Sequence, residues 1–338
     1  MEFSEFAELP VIDCHVHFRP PDQASDEELG KLDTFMTDIV RKGTLSQIYL
    51  SGAEAGLRLK AKHPDLFYAG GSAPWSGWTS RFPDINWQNY ITSLIEVGFD
   101  GVGEMGSKPS TRDRHKPLDG DYYEGFWQAC ESLGFPVLCH VADPEEFWDE
   151  DLAPDWAKKR GWVYYGGDYP KKEELYAEME NVLDGHPDLK IVLAHFYFMS
   201  ADLERASDFL DRHRNANFDL SLGIELMYNI SRRRDEWRDF FIKYQDRILF
   251  GTDVGTWHTF QSAIDRIWLV RNFLESDEEF FTTPSANTLL TRYKEPFIGL
   301  NLPKNALRKI CAENFQRLWG KKPRKVDPEA AAKMRENR

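Results

Sequence analysis

Short apolar runs alternate along this chain with longer stretches whose apolar residues recur every three or four positions. The runs Leu9–Phe18, Leu45–Ser51, Phe67–Ser72, Gly101–Glu104, Pro136–His140, Lys190–His195, Asn217–Ser221 and Arg247–Asp253 read as strands. Between them, Glu28–Gly43 carries Leu29, Leu32, Met36, Ile39 and Val40 on one helical stripe. Ser25 and Glu28 have the spacing of a capping box at its start, and Gly43 ends it. Asn86–Val97 and Tyr122–Leu133 repeat the pattern and are stopped by Gly98 and Gly134. Strands alternating with helices imply right-handed crossovers and a parallel sheet. Eight such strands predict an α/β chain folded as a closed (β/α)8 TIM barrel. The open dinucleotide-binding alternative lacks its glycine motif after the first strand.

Neither an internal repeat nor a low-complexity linker interrupts the pattern, so residues 1–320 read as a single barrel. An inserted loop and helical segment, 143–187, follows the fifth strand, and its aromatic stretch Phe147–Tyr169 is expected to act as a lid. A second insertion spans Phe280–Pro303, ahead of a terminal helix at Lys304–Trp319. The tail 321–338 is basic, then alanine-rich, and is expected to fray or pack on the outside.

Composition narrows the class. The 338 residues include 23 Phe, 13 Tyr and 11 Trp, enough apolar bulk to exclude disorder as the dominant state. No apolar stretch is long enough to span a membrane, and Met1–Pro10 carries three Glu where a secretory signal would be basic and apolar. The net charge of −14 counts against nucleic acid as the main partner. Cys14, Cys130, Cys139 and Cys311 form no CxxC pair and sit in apolar runs, as expected of reduced thiols in a cytoplasmic protein.

Chemistry concentrates at strand ends. In Val11-Ile12-Asp13-Cys14-His15-Val16-His17-Phe18, alternation predicts Asp13, His15 and His17 on one face and Ile12, Cys14, Val16 and Phe18 on the other. The outer face of a barrel strand packs under helices, so the polar face is expected inside, where two imidazoles converge as metal ligands do. The same parity argument turns His140 inward opposite Val137 and Cys139, and His195 inward opposite Val192 and Ala194. It likewise turns Asp253 inward, opposite Ile248, Phe250 and Thr252. Glu104 ends the fourth strand. All of them fall at the C-terminal mouth, where barrel enzymes keep their chemistry. Buried ionisable groups are costly unless paired or bound to metal, and together these residues read as a metal site.

His15-Val16-His17, His140, His195 and Gly251-Thr252-Asp253 resemble the metal-dependent amidohydrolase superfamily. The closest likeness is to the amidohydrolase-related branch that contains the aminocarboxymuconate semialdehyde decarboxylase type. Val11–Phe18, Leu249–Asp253 and Ala312–Leu318 carry it, over residues 11 to about 319. The resemblance implies that His15, His17, His140 and Asp253 hold a divalent ion, most often zinc, with His195 beside it. Gly103-Glu104-Met105-Gly106 is also similar to a fourth-strand motif of TatD-like and phosphotriesterase-like members, in which the Glu bridges two ions. Under that arrangement His140 and His195 hold the second ion and His15, His17 and Asp253 the first; the single-ion arrangement is the one preferred from sequence. A zinc ion on such a set gives water a pKa of about 7. Asp253 would take a proton from that water, and His195, if not a ligand, would polarise the substrate carbonyl.

The expected activity is hydrolysis of a small organic amide, lactone or similar substrate. A non-oxidative decarboxylase of the same branch is the alternative. A TatD-like phosphodiesterase and a catalytically silent binding barrel stand further off. Asp143, Tyr197, Arg112, Trp75 and Trp257 follow the strands closely enough to touch substrate, although the loop holding Arg112 reads rather as a solvated charged loop. His63, His186 and His213 are expected at the surface, and Arg232–Arg234 at a solvated helix start. Homodimers are common in the resembled branch.

Overall fold

The computed structural model describes residues 3, 6–21, 23–51, 53–72, 85–112, 116–223, 225–286 and 295–336. Eight parallel strands follow in chain order: β1 (Ile12–His17), β2 (Gln47–Ser51), β3 (Phe67–Gly71), β4 (Gly101–Gly106), β5 (Val137–His140), β6 (Ile191–Leu193), β7 (Ala216–Asp219) and β8 (Ile248–Leu249). Each pairs with its sequence neighbour, and a short continuation, β9 (Val254–Gly255), pairs with β1. Between β8 and β9 the chain already touches β1: Cys14 N–H donates to the Phe250 carbonyl at 3.0 Å and Asp253 N–H to that of His15 at 3.0 Å. The sheet therefore closes into a barrel, and all eight strands predicted from the apolar runs are present.

The helices follow their local chemistry. Asp26–Lys42 starts at the Ser25/Glu28 capping box and is followed by Gly43. Trp87–Val97 takes Asn86 as its N-cap and ends at Gly98, whose φ of 103° suits glycine. Leucine, isoleucine and aromatic residues of these helices meet Val16, Phe18, Ile48, Leu50, Phe67 and Ala69 in the layer between sheet and helices. A second cluster fills the barrel itself: Ile12, Cys14, Tyr49, Tyr68, Leu138, Val192 and Leu249, plugged from below by Phe315 and Trp319, whose rings stack at 4.7 Å.

This inner cluster corrects the alternation expected for the first strand. Ile12 and Cys14 point inward, not outward, because the β1–β2 register shifts between Asp13 and Val16. Such a bulge puts consecutive residues on the same side. Cys14 and His15 therefore both face the barrel, while Asp13 is bonded by Thr252 and by the His15 N–H. All four cysteines are buried and free. The residues after Lys321 do not fray: Pro328–Glu336 is a helix that lies on Trp87–Val97, and Asp327 N–H donates to the Val97 carbonyl at 3.0 Å. His186 and His213, expected at the surface, are buried, with carboxylates of Glu131 and Asp184 at 3.1 and 3.3 Å. Among the described residues no helix is long and apolar enough to cross a membrane.

Candidate metal centre

The C-terminal mouth brings six of the predicted residues to one point. His15 and His17 face each other through Nε2 atoms 3.2 Å apart. Asp253 Oδ1 stands 3.0 Å from His17 Nε2 and 3.8 Å from His15 Nε2. Glu104 lies in the middle: its Oε2 is 3.6 Å from His17, and its Oε1 is 3.4 Å from His15, 2.8 Å from His140 Nδ1 and 4.0 Å from His195 Nε2. Donor atoms sharing one zinc at about 2.0–2.2 Å stand roughly 3.3–3.6 Å apart at tetrahedral angles. The observed spacings, 2.8 to 4.0 Å, bracket that range, and two overlapping groups of candidate ligands emerge: His15, His17 and Asp253, and His15, Glu104 and His195.

The surroundings aim these ligands. His15 donates its Nδ1 proton to Asp219 Oδ2 at 2.8 Å, which turns the Nε2 lone pair to the centre. Ser51 Oγ lies 2.7 Å from His17 Nδ1, and His195 Nδ1 donates to the Ser221 carbonyl at 3.2 Å. His140 is reversed, with Nδ1 inward and Nε2 3.4 Å from Asp143 Oδ1. Lys108 Nζ sits 3.2 Å from the same Asp143 oxygen, and the Tyr164 hydroxyl donates to its other one.

Backbone geometry does part of the aiming. Val192 and Ala194, expected outside, lie inside the barrel, so strict alternation would send His195 outward. The chain leaves β6 at Leu193 instead, and His195, Phe196, Tyr197 and Phe198 take positive φ angles of 56, 55, 53 and 51°. Left-handed conformations cost non-glycine residues about 1–2 kcal/mol each, strain of a kind that clusters at functional sites. The turn puts the His195 ring 4.6 Å from that of His140 and stacks Phe198 on it at 5.2 Å. Asp253 adopts the same kind of conformation, at φ 55°.

The carboxylates and imidazoles of the pocket shift one another: burial works against a charged imidazole, yet Asp219 and Glu104 hold His15 well above its usual value, and Glu104 and Asp143 raise His140. Burial would raise the Glu104 and Asp253 pKa values, yet neighbouring imidazoles (His140 and His15 for the one, His17 for the other) hold both carboxyls well below their usual range. Burial, with His140 adding to it, pushes His195 down to about 4 and keeps it neutral, as a ligand must be. Burial likewise works against an ionised Asp143, but Lys108 and His140 outweigh it and hold the carboxyl at about 2.

Other expected contacts fall differently. Trp257 is half exposed, its ring 5.2 Å from that of His17. Tyr197 does not reach the centre; the left-handed turn buries it beneath helices, against Tyr176 and Phe209. Arg112 is turned away and paired with Glu178 at 2.9 Å. Trp75 lies outside the described residues. Sequence reasoning overlooked Asp219, although it ends β7 as His140 ends β5. Lys108 and Phe198 fall in loops expected from sequence to line the pocket, and Tyr164 in the expected lid; Glu225 has no such signal and was missed.

A family model described as amidohydrolase matches residues 89–321. No curated protein matches the chain. Among solved structures, a putative amidohydrolase from Staphylococcus aureus superposes with a TM-score of 0.55 at 15% identity, covering 92% of this chain and 100% of the other. A 2,6-dihydroxybenzoate decarboxylase complexed with 2,6-dihydroxybenzoate gives 0.53 at 16% identity, with 92% and 98% covered. An uncharacterised TIM-barrel protein from Bordetella bronchiseptica gives 0.52 at 14%, again with 92% and 98% covered.

Proposed function

Since the chain belongs to the amidohydrolase family, matching its model over residues 89–321, we propose that it is a metal-dependent hydrolase of a small organic substrate. The observation that carries this reading is the position of Glu104, whose two oxygens reach histidines of β1, β5 and β6 within 4.0 Å. That position favours the two-ion arrangement over the single ion preferred from sequence: His15, His17 and Asp253 on one side, His140 and His195 on the other, Glu104 between them. Divalent ions held there would acidify water and polarise a carbonyl oxygen.

The chain's own residues supply the remainder. Asp253 presents Oδ1 to the centre, while Oδ2 lies 3.5 Å from the buried Arg266 guanidinium. His17, and after it Arg266, keeps it ionised, so that it can accept a proton from an attacking water and return it to the leaving group. Asp219 holds His15, and Asp143 holds His140, at fixed angles. The inserted segment 143–187 has its own small core of Phe147, Ala157 and Tyr164 and is tied to the site by the Tyr164 hydroxyl, which donates to Asp143, an arrangement that would suit a lid shielding the reaction from water.

Elemental analysis of purified, zinc-loaded protein tests this reading. Two ions per chain, falling to one in Glu104→Gln, support it; protein that takes up no stoichiometric ion sinks it. Lactones and amides are expected to be hydrolysed by the loaded enzyme. Release of CO₂ from aromatic carboxylates without hydrolysis would favour a decarboxylase instead.

A further inference from the structure

A cavity of about 360 Å³ adjoins the centre, formed by the loops after β5, β6 and β7, a volume typical of small-molecule sites. Phe198 is the shared wall, since its ring both lines the cavity and stacks on His195. Among the described residues the charged lining is Glu145, Glu146, Glu225 and Glu295 with Lys172 and Arg232. Lys172 donates to the Phe198 carbonyl at 3.3 Å, and Arg232 lies over the Tyr228 ring at 4.8 Å.

Glu225 is the informative group. It is 4% exposed, and neither carboxylate oxygen has a hydrogen-bond partner among the described residues. Its carboxylate fills the space beside Gly223, where an added Cβ would meet Oε2 at 2.7 Å. An unpaired buried carboxyl costs free energy, and buried polar groups in folded proteins find partners. Burial and then Glu146 raise its pKa to about 8, and Lys172 does not offset them. A cationic donor with two N–H groups can pair both oxygens at once and holds the carboxyl in its ionised form, whereas a neutral donor leaves the charge of the ionised carboxyl uncompensated.

We infer that this cavity recognises an organic cation, an ammonium or amidinium group on an apolar body, with Glu225 as its counter-ion and Phe198 and Leu152 as the walls for the apolar part. The inference rests on the proposed function, since Phe198 then sets the bound cation one ring away from the hydrolytic centre. It deepens that function by naming the substrate as a cationic amide or ester.

Calorimetric titration of the zinc-loaded chain with benzylammonium, benzyl alcohol and benzoate tests it. The expected result is binding of benzylammonium at least tenfold tighter than benzyl alcohol, with no measurable binding of benzoate. Glu225→Gln should weaken benzylammonium at least tenfold and leave benzyl alcohol unchanged. Equal affinities, a preference for benzoate, or an unchanged benzylammonium affinity in the variant overturns the inference. Should the variant fail to fold, the wild-type order of the three probes decides alone. Metal content measured on the same samples separates the two readings: metal without cation binding removes only this inference, and cation binding without metal removes only the hydrolase.

Discussion

Asp219 reaches the centre through the far nitrogen of His15 and the backbone N–H of His195, and its Oδ2 decides which ring nitrogen of His15 carries the proton. Replacing it with Asn leaves the shape intact but no longer favours that tautomer. Metal affinity of Asp219→Asn is therefore expected to fall about 10–100-fold, measured by competition with a coloured chelator, with an unchanged circular dichroism spectrum. Glu225 yields a pH prediction. Its carboxyl titrates near 4.3 in an unfolded chain and at about 8 in the fold. Between those values the folded protein holds a proton that the unfolded chain has lost. Its contribution to stability is complete below the lower value, declines as pH rises and is gone above the upper. Urea melts of wild type and Glu225→Gln should accordingly diverge by on the order of 2–4 kcal/mol between pH 5 and 8, in the variant's favour at pH 8; parallel curves would place a partner on that carboxyl. Of these two residues, Asp219 lies inside the run Asn217–Ser221 read as a strand, and its carboxylate among apolar neighbours was the available signal. Glu225 was not, because a glutamate before a short helix looks solvent-exposed until a neighbouring loop covers it.

At the level of elements, periodicity located every barrel strand and the principal helices, since burial against a neighbouring layer leaves a repeating mark. It misread two strands at the places where chemistry intrudes. The register shift in β1 and the left-handed turn after β6 both place a histidine inward against strict alternation. Neither device has a compositional signal, because no glycine marks His15 or His195. Gly98, which does mark a turn, also explains why the C-terminal helix docks: a Cβ there would meet the Lys325 carbonyl at 2.3 Å. Gly98→Ala should destabilise the protein by about 1–3 kcal/mol from the backbone conformation alone, read as a lower denaturant midpoint at unchanged slope. A variant as stable as wild type would contradict the docking of residues 325–327 on that helix end.

Over the whole molecule, strands from both halves of the chain end at one cluster, so an ion bound there ties the first strand to the last. Ligands that bind only the folded state stabilise it by mass action, about 4 kcal/mol when free ion is a thousand times its dissociation constant. Dialysis against a strong chelator should lower the thermal midpoint by several degrees, and zinc should restore it; scanning calorimetry on both forms checks this. A midpoint indifferent to chelator would mean that the cluster holds no ion.

The amino-acid order alone determined the (β/α)8 scaffold, the end of the barrel that carries the chemistry, and the histidines and carboxylates that meet there. These follow from local rules: apolar repeats set the elements, and a polar residue closing an apolar run marks the mouth. Which nitrogen each imidazole presents, how centrally Glu104 stands and which carboxylate is left unpaired beside the centre were decided by tertiary packing. Each depends on atoms from strands and loops separated by tens to hundreds of residues, brought within a few ångströms only by closure of the barrel.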